Sequence, residues 1–238
     1  MTFVTMKNFN RQIDYLCFTA NTAGSTIALN KQGSPTAVTL ETSTDGSIWT
    51  TYTFGSTITL SNIWDKVYWR NTSTTDTLFS LDNVSNYYQF VITWSIAASW
   101  DVTTLINKNW TDTLPDYCFV RLFYNCRYLT TPPQLLATNL GVRCYNTMFY
   151  QCFELIALPK MSALLYPNYA CAAMFNWCSK IKLSTTQTWV YQTPYRIPDT
   201  WTWSIGTSSF INMFLNTWWT FTWAPTINTT YYTSNTLV

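Results

Sequence analysis

A stretch near the middle of the chain, Tyr117-Cys-Phe-Val-Arg-Leu-Phe-Tyr-Asn-Cys, decides the fold because it returns, with a period of 26, as Arg143-Cys-Tyr-Asn-Thr-Met-Phe-Tyr-Gln-Cys. The same interval leads to Tyr169-Ala-Cys-Ala-Ala-Met-Phe-Asn-Trp-Cys. Asn212-Met-Phe-Leu-Asn is a fourth, degenerate copy, which follows an insertion of half a period. Several columns agree at one period, which indicates an internal repeat rather than chance recurrence in an aromatic-rich chain.

A repeat of this length cannot bury its own apolar face, so stacked copies should bury a continuous one as a solenoid. Each column then becomes a ladder of side chains along the stack. The predicted repeat-core residues, all structural, are Leu122, Phe123, Cys126, Leu129, Met148, Phe149, Cys152, Leu155, Met174, Phe175, Cys178 and Ile181. We expect the phenylalanine rings to stack along one axis. Short parallel strands should begin near the Leu/Ile column.

The repeat pattern Met-Phe-x-x-Cys-x-x-Leu-x-x-x-Pro resembles the BspA-like class of leucine-rich repeats, over roughly residues 115–238. The most similar subtype occurs in surface proteins of gut bacteria and in proteins encoded by their phages. Residues 23–99 also resemble the small β-domain that often precedes such repeats, through Ser43-Thr-Asp-Gly-Ser and Asp65-Lys-Val-Tyr-Trp-Arg. The resemblance implies an architecture and specifies no ligand.

The part of the chain before the repeats has the composition of short β-strands. From about Leu16 to Ile96, β-branched and aromatic runs alternate with Gly, Asn, Asp, Ser and Pro. Asp45-Gly46 is a hairpin signal, since a tight turn requires positive φ angles. We therefore predict a mainly β protein. A small β-sandwich-like domain would occupy residues 1–112, and a short leucine-rich-repeat solenoid with an irregular C-terminal cap would occupy residues 113–238.

Charge and histidine content exclude several classes of function. The chain has 13 Lys and Arg against 11 Asp and Glu, and these are scattered, which argues against a nucleic-acid partner. It has no histidine, the commonest general base and metal ligand. Asp112 and Asp116 are four residues apart, as a catalytic carboxylate pair could be, but neither lies in a motif. We predict no catalytic residue, no metal and no cofactor, and hence no enzyme.

The seven cysteines allow three interpretations. Tetrahedral zinc is disfavoured because the chain has no Cys-x-x-Cys pair and no histidine. Disulfides are conceivable if the protein is exported. The repeat favours the third interpretation, in which each thiol is a small apolar filler that faces the core. We therefore expect buried, free thiols.

The surface should consist largely of Thr, Ser, Asn, Gln and Tyr, which offer adaptable hydrogen bonds, as paratopes do. The same residues also simply suit β-rich proteins. Our hypothesis is a non-enzymatic recognition or adhesion protein that binds a protein or glycan through its repeat face. A structural component of a phage tail or similar assembly is the alternative, and a glycan-active enzyme is a weaker one.

The expected location is extracellular, at a cell surface or in a virion. No apolar run is long enough to span a bilayer, so we expect no membrane insertion. Residues 1–10 lack the basic and apolar regions of a signal peptide, which favours the virion over the exported protein.

The glycine and tryptophan counts are both unusual, at 6 and 13 of 238 residues. Eleven tryptophans occur where the resembling repeats, or turn chemistry, would place glycine. If they were glycine, the total would be 17, the usual share of about 7%. Because some bacterial codes read UGA as glycine and another reads it as tryptophan, we hypothesise a recoded stop codon. A Trp-rich binding surface is the alternative. The eleven are Trp64, Trp94, Trp100, Trp110, Trp177, Trp189, Trp201, Trp203, Trp218, Trp219 and Trp223.

Overall fold

The computed structural model describes residues 14–82, 85–199, 204–219 and 224–238. This part of the chain is mainly β, with several small sheets, none of them closed, and one 3-10 helix, η1 (Val102–Leu105). The strands are β1 (Leu16–Ala20), β2 (Ser25–Gln32), β3 (Leu40–Ser43), β4 (Thr50–Thr51), β5 (Ile58–Leu60), β6 (Lys66–Asn71), β7 (Tyr87–Thr93), β8 (Ile96–Ser99), β9 (Leu129–Thr131), β10 (Ala157–Leu158), β11 (Leu165–Tyr166), β12 (Lys182–Ser184), β13 (Thr193–Arg196), β14 (Ser204–Ile205), β15 (Trp218–Trp219), β16 (Thr230–Thr233) and β17 (Thr236–Leu237).

The first nine strands form two sheets, with the orders β4-β3-β6-β1-β8-β9 and β5-β2-β7. The sheets contact each other through aromatic side chains, because alternate residues of a strand point to the same side. The rings of Phe18 on β1 and Trp69 on β6 lie 4.8 and 5.2 Å from the ring of Phe90 on β7. All three are buried.

The predicted hairpin connects β3 to β4. The Asp45 carboxylate accepts hydrogen bonds from the backbone N–H groups of Ser47 at 2.8 Å and Ile48 at 2.9 Å. Gly46 has φ of 74°, a conformation that glycine adopts without steric cost. The Asp-Gly turn is therefore confirmed, with an Asx-type hydrogen bond in addition.

The repeated motif occupies four turn segments, which we define as residues 115–126, 141–152, 167–178 and 206–217. Their backbone amides alternate between two partners. Phe119 N donates to Cys144 O of the next segment at 2.9 Å, whereas Val120 N donates to Tyr117 O of its own at 3.1 Å. This alternation continues along each segment, so each one is hydrogen-bonded to the next. Every fourth residue is left-handed, with φ between 51° and 64°.

The phenylalanine column forms a single buried stack. The rings of Phe123, Phe149, Phe175 and Phe214 follow one another at 5.3, 5.5 and 5.4 Å, with interplanar angles of 11° or less. The predicted stacking is confirmed. Phe214 belongs to the degenerate copy, so the insertion before that copy is accommodated outside the stack.

The strands after the first three turn segments begin near the Leu/Ile column, as predicted. β9 begins at Leu129, β10 two residues after Leu155 and β12 one residue after Ile181. Their parallel partners are β8, β17 and β15 rather than one another. The reason is that the end of the chain lies beside β10. There Val238 N donates to Leu158 O at 3.0 Å.

The buried core is continuous across the predicted domain boundary between residues 112 and 113. Phe90 N donates to Leu122 O at 2.8 Å, and the Cys126 thiol donates to Phe90 O at 3.1 Å. β8 also pairs with β9. The strands of the first part therefore adjoin the first turn segment directly.

The tryptophans predicted to occupy glycine positions divide into groups. Five of them are left-handed, with φ between 58° and 73°: Trp64, Trp94, Trp100, Trp110 and Trp177. Trp218 and Trp219 form the short strand β15 and are not left-handed, so their backbone gives no indication of a glycine site. Trp189 lies in a loop and is 86% exposed. The predictions for Trp201, Trp203 and Trp223 fall outside the described residues.

Candidate binding surface

The twelve predicted repeat-core side chains all lie in the interior, and each is at most 2% exposed. None of them can contact a partner directly. Their role is to hold the outer residues of successive copies at a fixed spacing. A binding surface must therefore be built from the exposed side chains between the core columns.

The cysteine column forms a ladder of hydrogen bonds that sequence analysis did not anticipate. The Cys152 thiol donates to Phe123 O at 3.1 Å, and the Cys178 thiol donates to Phe149 O at 3.0 Å. All seven cysteines are free and buried. Burial raises the pKa of the Cys152 and Cys178 thiols well above the ordinary value, so both are neutral at pH 7. These thiols bind copies to one another and are poor nucleophiles.

An exposed surface is formed by the chain that follows each turn segment. We call it the strand face and define it as residues 127–130, 153–156 and 179–182 without the buried Leu129, Leu155 and Ile181. Backbone hydrogen bonds align its first two portions. Ile156 N donates to Thr130 O at 2.9 Å, and Glu154 N donates to Arg127 O at 3.1 Å.

Asn235 connects the second and third portions of the strand face. Its Nδ2 donates to Ile156 O and to Lys180 O, both at 3.0 Å. Its Oδ1 accepts a hydrogen bond from Lys182 N at 2.7 Å. Asn235 is 7% exposed, so one buried amide satisfies backbone groups of two successive copies.

The strand face exposes apolar side chains in neighbouring copies. Tyr128 is 44% exposed and Ile156 is 50% exposed. Arg127 lies over the ring of Phe153, with its guanidinium carbon 5.5 Å from the ring centre. Such a combination of partly exposed apolar groups with a stacked arginine is typical of residues that contribute to binding.

The charges of the strand face are mostly positive. Arg127, Lys180 and Lys182 outnumber the single carboxylate, Glu154. Lys180 and Glu154 form an ion pair between adjacent copies. The strand face thus has two more cationic than anionic side chains, and the net charge of the whole chain is also +2. The face therefore favours a partner that carries acidic groups.

The turn segments present a second regular surface. Tyr124 and Tyr150, one in each of two successive copies, stack with ring centres 5.1 Å apart and planes 6° apart. The Arg121 guanidinium carbon lies 5.2 Å from the centre of the Tyr124 ring. This ladder ends after two copies, because the equivalent residue of the third is Asn176.

The two carboxylates considered as a catalytic pair have structural contacts instead. The Asp116 carboxylate accepts a hydrogen bond from Val142 N at 2.7 Å, which connects the first turn segment to the second. The Asp112 carboxylate accepts one from the Thr113 hydroxyl at 3.3 Å. Both side chains are exposed.

Two neighbouring cavities lie against the six-stranded sheet, with volumes of about 400 and 370 Å³. Lys66 and Trp100 line both of them. Asp14 and Asp45 line the first, and Gln134 lines the second. Within the described ranges, no three His, Cys, Asp or Glu residues are grouped so that they could hold a metal ion. No helix found there is long and apolar enough to cross a membrane.

No family model matches the chain, and no curated protein or solved structure matches it either.

The repeat spacing predicts which residues face the core, but it does not predict the pairs that shape the surface. The Arg127–Phe153 contact and the Glu154–Lys180 ion pair each join residues 26 apart. Both follow from the period once the outer positions of the copies are aligned. The bridge made by Asn235 has no such signal, since that residue lies outside the repeat.

Proposed function

We propose that the protein is a non-enzymatic recognition or adhesion protein that binds a protein or glycan through the strand face. In this proposal a β-sandwich-like domain precedes a short leucine-rich-repeat solenoid of the BspA-like class. The observation that carries the proposal is the exposure of Tyr128 and Ile156 in adjacent copies whose backbones are hydrogen-bonded to each other. Binding groups held on a rigid frame lose little entropy when a partner binds.

The chemistry of the strand face supports an elongated partner with acidic and apolar groups. A partner that lies across the copies would meet Tyr128, Ile156 and Lys182 in turn. An aromatic ring can pack against the apolar face of a sugar or a side chain, and the lysine attracts a carboxylate. We propose a cell surface or a virion as the location, where such a partner would be a component of another cell.

A glycan array that includes acidic and neutral oligosaccharides, together with intact bacterial cells, tests this proposal. The double variant Tyr128→Ala/Ile156→Ala should weaken the strongest signal about tenfold or more, which corresponds to the loss of ~1.4 kcal/mol. Ile48→Ala is the matched control, because Ile48 is 73% exposed on the β3–β4 hairpin, away from the strand face.

Equal binding by the double variant and the wild-type protein would contradict a role for the strand face. If the protein bound neither the array nor any cell, but assembled only with phage tail proteins, the structural alternative would replace adhesion.

A further inference from the structure

Left-handed backbone outside the turn segments is confined, in the described ranges, to nine residues. They are Gly24, Gly33, Gly46, Gly55, Trp64, Trp94, Trp100, Trp110 and Asn228. Glycine adopts this conformation at no steric cost, and asparagine is the side chain that most often joins it. Tryptophan is bulky and should avoid it. These four tryptophans therefore have the backbone conformation that the glycines have.

Other aromatic residues do not share this behaviour. None of the described phenylalanines is left-handed, and the two left-handed tyrosines, Tyr117 and Tyr169, occupy the same column of the turn segments. The two tryptophans that are not among the eleven assigned to glycine positions, Trp49 and Trp69, are not left-handed. In the described ranges, every left-handed tryptophan had thus been assigned to a glycine position, although Trp189, Trp218 and Trp219 had been assigned too and are not left-handed.

The fold fixes the backbone at these sites through hydrogen bonds that do not involve the indole. Trp64 N donates to Ala20 O at 2.8 Å in the connection between β5 and β6. Trp100 O accepts from Gln134 N at 2.8 Å, and Trp110 N donates to Asn107 O at 2.9 Å. Backbone hydrogen bonds to the surrounding chain thus support the left-handed conformation at Trp64, Trp100 and Trp110.

The indoles at positions 64, 94 and 100 also contribute little packing, whereas that of Trp110 is half-buried. Trp64, Trp94 and Trp100 are 73%, 58% and 41% exposed, whereas Trp69 is fully buried against Phe18 and Phe90. Replacing an exposed indole with hydrogen removes little buried apolar area, and it relieves the steric conflict between Cβ and the backbone.

We propose that glycine is the native residue at positions 64, 94, 100 and 110, and that each is encoded by a UGA codon that the source organism translates as glycine. These four replacements would raise the glycine count from 6 to 10 and lower the tryptophan count from 13 to 9. Trp177 is left-handed too, but it lies in a turn-segment column where Asn125 and Gln151 have the same conformation, so its backbone does not distinguish glycine from other residues.

This inference bears on the strand face and is independent of the proposed function. The Trp94 ring lies 6.3 Å from the ring of Tyr128 at the edge of that face. With glycine at position 94, Tyr128 would lose this neighbour and become more accessible. Ligand contact would then depend on Tyr128 and Ile156, with no tryptophan beside them.

The codons of the gene and the peptides of the protein isolated from its source organism test the proposal directly. We expect UGA at all four positions, and peptides whose masses and fragment spectra show glycine there. UGG codons, or peptides that contain tryptophan at these positions, would overturn it.

A stability measurement on recombinant protein tests the physical premise. The quadruple variant W64G/W94G/W100G/W110G should raise the urea midpoint of unfolding. The control W49G should lower it, because Trp49 is not left-handed, and its ring lies 3.9 Å from the Arg70 guanidinium carbon and packs edge-to-face with Tyr15 at 4.9 Å. A quadruple variant that unfolds at a lower midpoint than the wild-type chain would contradict the inference.

Discussion

The ring of Phe90 in β7 lies 5.3 Å from the ring of Phe123 in the first turn segment, with the planes 20° apart. This spacing equals that between Phe123 and Phe149. Phe90 also accepts a thiol hydrogen bond from Cys126, as Phe123 does from Cys152. A residue outside the repeat therefore occupies the position that the phenylalanine of a preceding copy would have.

The substitution Phe90→Ala should destabilise the turn segments as well as the sheets. Loss of a buried phenylalanine costs about 3–5 kcal/mol through lost burial and the remaining cavity. Hydrogen exchange of the amides in residues 117–126 should become faster. Val91→Ala, which alters a 43% exposed neighbour, is the control. Unchanged protection of residues 117–126 in Phe90→Ala would show that the two parts are independent.

The core columns were predictable from the sequence, but the way the stack ends was not. A period of 26 places Phe123, Phe149 and Phe175 on one axis because neighbouring copies have the same backbone conformation. Phe90 does not fit that period and lies in a strand, where side chains alternate between the two faces. Sequence periodicity contains no information about which strand adjoins the first copy.

The pairing of the short strands was also beyond the sequence. Asn235 bonds to groups 53 to 79 residues away, and contacts at such separations have no local pattern. The strand face was predictable only in part, since the period aligns Arg127 with Phe153.

Removal of the Asn235 side chain should destabilise the protein. Asn235→Ala leaves the carbonyls of Ile156 and Lys180 and the amide of Lys182 without this partner, at roughly 1–3 kcal/mol for each buried unsatisfied group. Urea unfolding measures the loss, and exchange of the Lys182 amide locates it. Ser234→Ala, at an exposed neighbouring position, should leave stability unchanged. Equal urea midpoints for both variants would mean that the hydrogen bonds of Asn235 do not stabilise the protein.

A close approach of two copies predicts a large effect at Gly141. A Cβ atom there would collide with the backbone of Pro115 and Asp116, which cannot move freely. Gly141→Ala should therefore cost about 1–3 kcal/mol or more through overpacking. Gly24→Ala is the control, since its Cβ would meet no atom within 4 Å and only its φ of 78° is strained. The prediction fails if Gly141→Ala is the milder of the two in thermal unfolding.

The thiol ladder predicts that stability falls in alkaline solution. Burial raises the pKa of Cys178 above its ordinary value of 9.0, so the folded protein keeps a proton that the unfolded chain loses. The contribution of the buried thiol to the free energy of unfolding is therefore fully present below pH 9.0. It declines as pH rises above that value, by about 1.4 kcal/mol per pH unit for each such thiol. Urea unfolding between pH 8 and pH 10, compared with Cys178→Ala, should show a shallower decline in the variant. Identical declines would place this thiol in contact with solvent.

The central claim is that one period of the repeat is the structural unit, and duplication of one unit tests it most directly. A second copy of residues 115–140, inserted after residue 140, gives each original copy a neighbour with an equivalent sequence. The repeat predicts a cooperatively folded protein whose maximum dimension in solution scattering grows by one inter-strand spacing, about 5 Å. Insertion of only residues 115–127 should leave the maximum dimension unchanged, because the chain already accommodates an insertion of half a period outside the stack before Phe214. A full-unit insertion that unfolds or aggregates, or that lengthens the protein no more than the half-unit insertion does, would contradict the claim.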